Sequence, residues 1–266
     1  MFVRLVRHFF MTSLVLLASI VIDSDGYAAN TANPVRVNVG AYEYGVVYFF
    51  EDGKPRGMVP KLIKLLNDIQ ADYHFHLVET SSRRRFQDME EGKIDLVMFE
   101  NPLWGWQDFD VNYSDKIITT EDLYIRRHDA PPRRQPFENI YLSSIICVLG
   151  FHYGFADFNA DPEHLAELFD IHLAYNETEV LNGVVRGDAE IGIISTGFLA
   201  RKFVEDPSLR EKIEVGRDPD AIHDLVSVIS QQSPISVTAL NRLMEQLILE
   251  GDVHRIWQDL NQGLSG

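Results

Sequence analysis

The feature that most constrains this chain is a unit that occurs twice: helix, glycine, acidic residue, buried strand, polar loop. The first copy lies within residues 81–127. Phe86 and Met89 sit three apart and so share a helical face. Gly92 stands where a left-handed cap is wanted and a side chain would be penalised. Residues 94–99, IDLVMF, form a nearly unbroken apolar run, the pattern of a strand covered on both faces. The chain leaves that strand at Glu100-Asn101-Pro102 and enters Leu103-Trp104-Gly105-Trp106. In open α/β sheets ligands collect at the carboxyl ends of strands, so this loop is the first candidate site. In the second copy Val180, Leu181, Val184 and Val185 make a helical stripe and Gly187 takes the place of Gly92. Asp188-Ala189-Glu190 leads into the apolar run Ile191-Gly192-Ile193-Ile194, which empties into Ser195-Thr196-Gly197. Aligning the glycines puts Asp95 opposite Glu190. Two such copies imply two lobes of similar build, with a ligand between them touching both loops.

Strands alternate with helices along the remaining chain, so the class is α/β. Residues 35–39, 46–50 and 73–79 read as strands. A helix with Pro60 in its first turn carries Leu62, Leu65, Leu66 and Ile69 on one face. Further on, residues 140–149 and 171–175 read as strands, separated by a helix that Asp161-Pro162 starts with Leu165, Leu168 and Phe169 inward. Residues 225–229 read as a returning strand. A long helix opened by Pro234 follows, with Val237, Leu240, Leu243, Met244, Leu247 and Ile248 on its apolar face. Residues 126–136, RRHDAPPRRQP, form a loop or seam. The lone Cys147 sits in a strand-like run and reads as a buried inert thiol.

The first 28 residues read as a signal peptide. Arg4 and Arg7 precede an apolar stretch at 9–22, and Gly26 and Ala28 supply small residues before a cut. An uncleaved anchor is the alternative. The expected location is periplasmic. The net charge of −16 argues against nucleic acid as a partner, because binding phosphates needs Lys and Arg. It fits either docking to a basic surface or simply a solvated acidic shell.

The order of these pieces resembles the periplasmic solute-binding proteins of the polar amino acid type, bacterial extracellular solute-binding family 3. The marks are Asp52-Gly53-Lys54-Pro55-Arg56-Gly57 before the first helix, Gly92-Lys93-Ile94-Asp95 before the core strand, and Tyr113-Ser114-Asp115 after it. Gly187-Asp188-Ala189-Glu190 and Leu249-Glu250-Gly251 complete the pattern, and Ser82-Arg83-Arg84-Arg85-Phe86 is similar to a subgroup variant. The resemblance implies the two-lobed type II fold of these proteins, with lobe 1 at 34–121, lobe 2 at 122–219 and a return to lobe 1 at 220–266. Two hinge-crossing strands would join the lobes. It also implies capture of a small-molecule ligand for a membrane permease of the ABC type or a sensor ectodomain, with a monomer expected and no cofactor or metal.

Members that bind α-amino acids carry an arginine and an aspartate at places that correspond here to Gln107 and Ser195. Burying a zwitterion without either counter-charge costs several kcal/mol per ion, so an ordinary α-amino acid is not the expected ligand. The candidate ligand-binding residues are Tyr42, Tyr44, Arg84, Glu100, Asn101, Trp104, Trp106, Gln107, His152, Tyr153, Ser195 and Thr196. With Phe151, the rings would form an aromatic cleft around one carboxylate, suited to a cationic or planar ligand. Trp104 and Trp106 read equally as packing residues. Arg84, within Arg83-Arg84-Arg85, is expected to hold a ligand carboxylate or phosphate. His74 and His76 share a strand face but lack a third metal ligand. The alternative function is a periplasmic enzyme similar to cyclohexadienyl dehydratase, with Glu100 as the cleft acid or base.

Overall fold

The computed structural model describes residues 33–130 and 137–264. The expected signal peptide at 1–28 lies outside them, as do residues 131–136 of the seam. Twelve strands and eight α-helices are described. The first half runs β1 (Val35–Ala41), β2 (Phe49–Glu51), β3 (Lys54–Arg56), α1 (Met58–Ile69), β4 (Tyr73–Glu79), α2 (Arg85–Glu90), β5 (Leu96–Glu100), β6 (Val111–Tyr113) and β7 (Ile118–Arg127). The middle runs β8 (Ile145–Val148), α3 (Pro162–Leu168), β9 (Ile171–Ala174), α4 (Glu177–Arg186), β10 (Ile191–Ser195), α5 (Thr196–Glu205), α6 (Leu209–Lys212) and β11 (Ile213–Val215). β12 (Ala221–Ser230), α7 (Val237–Leu249) and α8 (Asp252–Leu260) close the chain.

The main sheet has the order β4-β1-β5-β12-β7-β10-β8-β9, with β6 beside β12 and β11 beside β7. β1 runs parallel to β4 and β5, and β8 runs parallel to β9 and β10. These two parallel groups never pair directly. Two long strands join them. β12 pairs through Val226–Ile229 with β5 and through Ala221–Leu225 with β7, while β7 continues into antiparallel pairing with β10. Two apolar cores separate in the same way. The first gathers Val37, Leu62, Phe75, Leu96 and Val228 with Leu240 and Leu247 of α7, so the C-terminal helices pack with the N-terminal half. The second half holds Ile125, Val148, Val180, Val184 and Leu199 in one cluster and Ile145, Cys147, Leu165 and Ile193 in another.

The repeated unit has the same geometry in both halves. β5 and β10 are buried along their whole lengths, as unbroken apolar runs require. Gly92 and Gly187 both take left-handed backbone, φ +68° and +82°. The Asp95 N–H donates to Asn38 O at 2.8 Å, and the matching Glu190 N–H donates to Ser144 O at 3.0 Å. Each acidic position thus registers its strand against the neighbouring segment.

Some local expectations differ from the structure. Residues 46 and 47 form a tight turn, not a strand, because Val46 and Val47 carbonyls accept the first amides of α1, Met58 and Val59. Residues 140–142 are a 3-10 turn, and only Ile145–Val148 pairs as a strand. Leu168 and Ile248 are exposed, since each lies a little off the buried stripe of its helix. Cys147 is buried, and burial pushes its thiol well up. His74 and His76 face solvent on β4. Among the described residues, no group of three His, Cys, Asp or Glu side chains could hold a metal ion, and no helix is long and apolar enough to cross a membrane.

Gly92→Ala and Gly187→Ala each place a Cβ in left-handed backbone, which costs about 1–2 kcal/mol. A melting temperature lower by about 2–8 °C is expected for each, read by calorimetry. Asn at either position is expected to cost less than Ala.

Candidate functional site

The loops that leave β1, β5 and β8 meet. Tyr42, Tyr44, Arg85 and Trp104 come from the first half and Gly150, Phe151 and His152 from the second. Together with Asp122 of the crossing strand β7, they line a cleft with about 10 Å³ of open room. In this conformation it admits about one water-sized body. The rings close edge to face: Tyr44 lies 5.5 Å from Trp104 and 5.7 Å from Phe151, and Tyr42 lies 6.3 Å from Phe151.

A buried ion pair forms the floor. Arg85 and Glu100 are each 1% exposed, and Arg85 Nε donates to Glu100 Oε2 at 3.1 Å. Trp106 Nε1 donates to the same oxygen at 2.6 Å, and Arg85 Nη2 donates to Trp104 O at 3.0 Å. The Arg85 guanidinium also lies over the rings of Phe86, Tyr42 and Trp106, at 4.2, 5.1 and 5.5 Å. Burial pushes the Glu100 carboxyl up, with Arg85 and Trp106 opposing. The local backbone delivers the pair. Phe99 takes φ +64°, and β12 shifts register opposite it, between Val226 and Ser227. This bulge re-aims the end of β5, where Glu100 sits.

A second buried carboxylate ties the halves together. Glu177 begins α4, which Asn176 caps by accepting from the Glu179 amide. Its Oε2 accepts from the Gly45 amide at 2.7 Å, across the cleft. Its Oε1 accepts from both the amide and the hydroxyl of Ser195, each at 2.7 Å. A Cβ on Gly45 would lie 2.6 Å from Ser195 Oγ, so this approach requires glycine. Burial outweighs the three donors and raises Glu177 to about 7. At the crossing strands, buried Asp122 accepts from His223 Nε2 at 3.0 Å. Ser82 Oγ donates to Leu149 O across the same seam. Burial lowers the His152 imidazole to about 3, and Arg85 and His223 add to the shift.

Of the expected site residues, Tyr42, Tyr44, Trp104 and His152 reach the cleft wall, and Glu100 supports Arg85 from beneath. Ser195 packs against Gly45 of the other half and is held by Glu177. Arg84 does not reach the cleft: its side chain is 65% exposed and pairs with Asp88 one turn along, while Arg85 takes the inward position. Consecutive helical residues point about 100° apart, so only one of the two can face in. A signal for Arg85 was present, because it stands four residues before inward Met89. Gln107 is exposed in a 3-10 turn. Trp106 is a packing residue under the loop, and Tyr153 turns into the second half, where its hydroxyl accepts from Val148 N. Asn101 braces its own loop, accepting from Leu103 N and donating to Asp224 O. Thr196 donates to Glu121 O. Asp122 and Glu177 were missed. Neither belongs to a motif, and only the pairing of β7 with β10 and the cap at Asn176 bring them inward.

Because Glu177 keeps its proton to about pH 7 in the folded chain against 4.5 ordinarily, its ionisation favours the unfolded state. Its contribution to stability is therefore full below pH 4.5, is lost as pH rises to about 7, and is flat above that. Melting temperatures from pH 4 to 9 for the chain and for Glu177→Gln are expected to differ by a curve falling through that window.

No family model matches the sequence, and a comparison with curated proteins finds no match. Solved structures do match. A binding component of an ABC transporter from Wolinella succinogenes, complexed with lysine, superposes with TM-score 0.66 at 14% identity, covering 84% of this chain and 94% of that one. An ABC uptake transporter substrate-binding protein from Streptococcus pneumoniae with bound histidine gives 0.67 at 14%, covering 85% and 92%. An ancestral amino-acid-binding protein, a precursor of cyclohexadienyl dehydratase, gives 0.65 at 18%, covering 86% and 96%. The chain is similar to these proteins in fold and distant from them in sequence: it has the two-lobed α/β fold of the periplasmic solute-binding proteins.

Proposed function

We propose that this chain is an exported, periplasmic solute-binding protein that captures a small molecule between two lobes. It would present that solute to an ABC-type permease or a membrane sensor. The observation that carries the reading is the cleft: residues of both halves line it, and just two strands, β7 and β12, cross beside it. A cleft beside two crossing strands is built for hinge closure on a ligand. The proposed lobes are 34–121 with 220–266, and 122–219 between them. The binding residues we assign are Tyr42, Tyr44, Arg85, Trp104, Phe151 and His152, with Asp122 at the hinge. The protein is proposed to act as a monomer.

An ordinary α-amino acid is not the proposed ligand. Gln107 is solvent-exposed, and Ser195 is engaged by Glu177. The arginine that does reach the cleft, Arg85, already has Glu100 as its counter-charge. A second reading, an enzyme of this fold, draws on the buried Glu100 with its raised carboxyl. Turnover lost in Glu100→Gln with binding retained would favour it.

Ligand binding is expected to shrink the radius of gyration in solution scattering and to raise the melting temperature. At 100 times Kd the stabilisation is about 2.7 kcal/mol. A screen of amino acids, amines, sugars, amides and organic acids in which no compound does either would sink the proposal. Gly45→Ala is expected to keep the halves from closing, so that ligand no longer shrinks the radius.

A further inference from the structure

The cleft contains a set of unsatisfied groups whose chemistry is specific. Tyr44 Oη, Arg85 Nη1, Trp104 Nε1 and His152 Nδ1 are buried without a hydrogen-bond partner, and all four belong to residues that line it. Glu100 Oε1 also lacks one, but Glu100 is not among the residues that line the cleft. An unpaired buried donor or acceptor costs about 1–3 kcal/mol, so four from residues of one cleft favour an occupant that pairs them. Two of the four can only donate: a guanidinium N–H and an indole N–H. The other two can donate or accept. An occupant must therefore bring at least one acceptor oxygen.

The charges around this wall limit what else the occupant carries. Arg85 is the resident cation on this wall, and it already lies over Tyr42, one of the rings that line the cleft. A second cation there would meet like charge. A carboxylate fares no better, because Glu100 balances Arg85 and Asp122 stands on the same wall as a further negative group. A zwitterion would expose each of its charged ends to one of these conflicts. Asp122 does offer an acceptor for an uncharged N–H, as its neighbour His223 already shows. Tyr44 stands edge to face against Trp104 and Phe151, so the surroundings of these groups are aromatic.

Resting on the reading of this cleft as a solute-binding site, we infer that its ligand is an uncharged, planar carbonyl compound of the carboxamide or ureide class. The carbonyl oxygen accepts from Arg85 Nη1 and Trp104 Nε1, and the amide N–H faces Asp122. The lobes part to admit it, since the closed cleft has room for about one water-sized body.

Matched congeners test this directly. Propionamide, propionate, propylammonium and alanine share their size and differ in charge. Benzamide, benzoate, benzylammonium and phenylglycine repeat the set with a ring. Each would be titrated into the full chain by calorimetry, with melting temperature and radius of gyration followed in parallel. An amide is expected to bind at least about tenfold more tightly than its charged partners, a difference of about 1.4 kcal/mol. A charged member that binds best and closes the lobes would overturn the inference and leave the solute-binding reading standing. Silence from both sets in all three measurements would count against both. Trp104→Phe supplies an independent check, keeping a ring while removing one orphaned donor. In the free chain its melting temperature is expected to hold or rise, while amide affinity falls about five- to tenfold, the loss of one hydrogen bond. Unchanged amide affinity in Trp104→Phe would overturn the assignment of Trp104 and with it the proposed carbonyl site.

Discussion

The Arg85–Glu100 pair is the interaction on which the cleft depends. Two charges that are each 1% exposed survive burial here because each has a partner of opposite sign and a further hydrogen bond, although Arg85 Nη1 and Glu100 Oε1 stay unpaired. Here the guanidinium has Glu100, the Trp104 carbonyl and three ring faces, and the carboxylate has Arg85 and the Trp106 indole. Trp104, Trp106, Tyr42 and Phe86 all contact this pair. Removing either charge would leave the other buried alone, which in comparable settings costs about 3–5 kcal/mol. In the reading proposed here, the pair means that the aromatic cleft holds a cation of its own. Its cation is covalently attached to the chain.

Glu177 does for the two halves what Glu100 does for the floor. It reaches from α4 to an amide on one side of the cleft and to Ser195 on the other, so a resident carboxylate links the halves. Gly45 makes this approach possible by having no side chain. The group is held at the edge of ionisation by burial on one side and three donors on the other. Asp122 and the Tyr44 phenol, both close by, add to the same electrostatic balance, and burial with these carboxylates pushes Tyr44 well up.

Much of the fold was legible because it rests on local rules. Apolar runs marked β5 and β10, helical spacing marked α1 and α7, and glycine marked two left-handed turns. The Asp161-Pro162 start of α3 was equally plain, since the Asp161 carboxylate caps the His164 amide. Errors fell where tertiary demand overrode local propensity. Val46 and Val47 favour a strand by type, yet they turn because α1 needs their carbonyls. The site was less legible than the fold. Residues at strand ends were found because position along the chain implies position in the sheet: Tyr42, Tyr44, Trp104 and His152 all follow strands. Arg85 was mistaken for its neighbour because the choice within three arginines depends on helical phase, which a six-residue helix fixes only once its core contacts exist.

The sequence by itself determined the alternation of strands and helices, the duplicated unit and the loops that bear the rings. Those properties follow from side-chain periodicity and backbone preference within a few residues. Tertiary structure alone decided which charges meet. Arg85 and Glu100 are fifteen residues apart, Asp122 and His223 a hundred and one, and Glu177 and Gly45 a hundred and thirty-two. No local pattern pairs groups at such separations. Only the crossing of β7 and β12 and the bulge at Phe99 bring them within hydrogen-bond reach, and burial then makes each pairing obligatory.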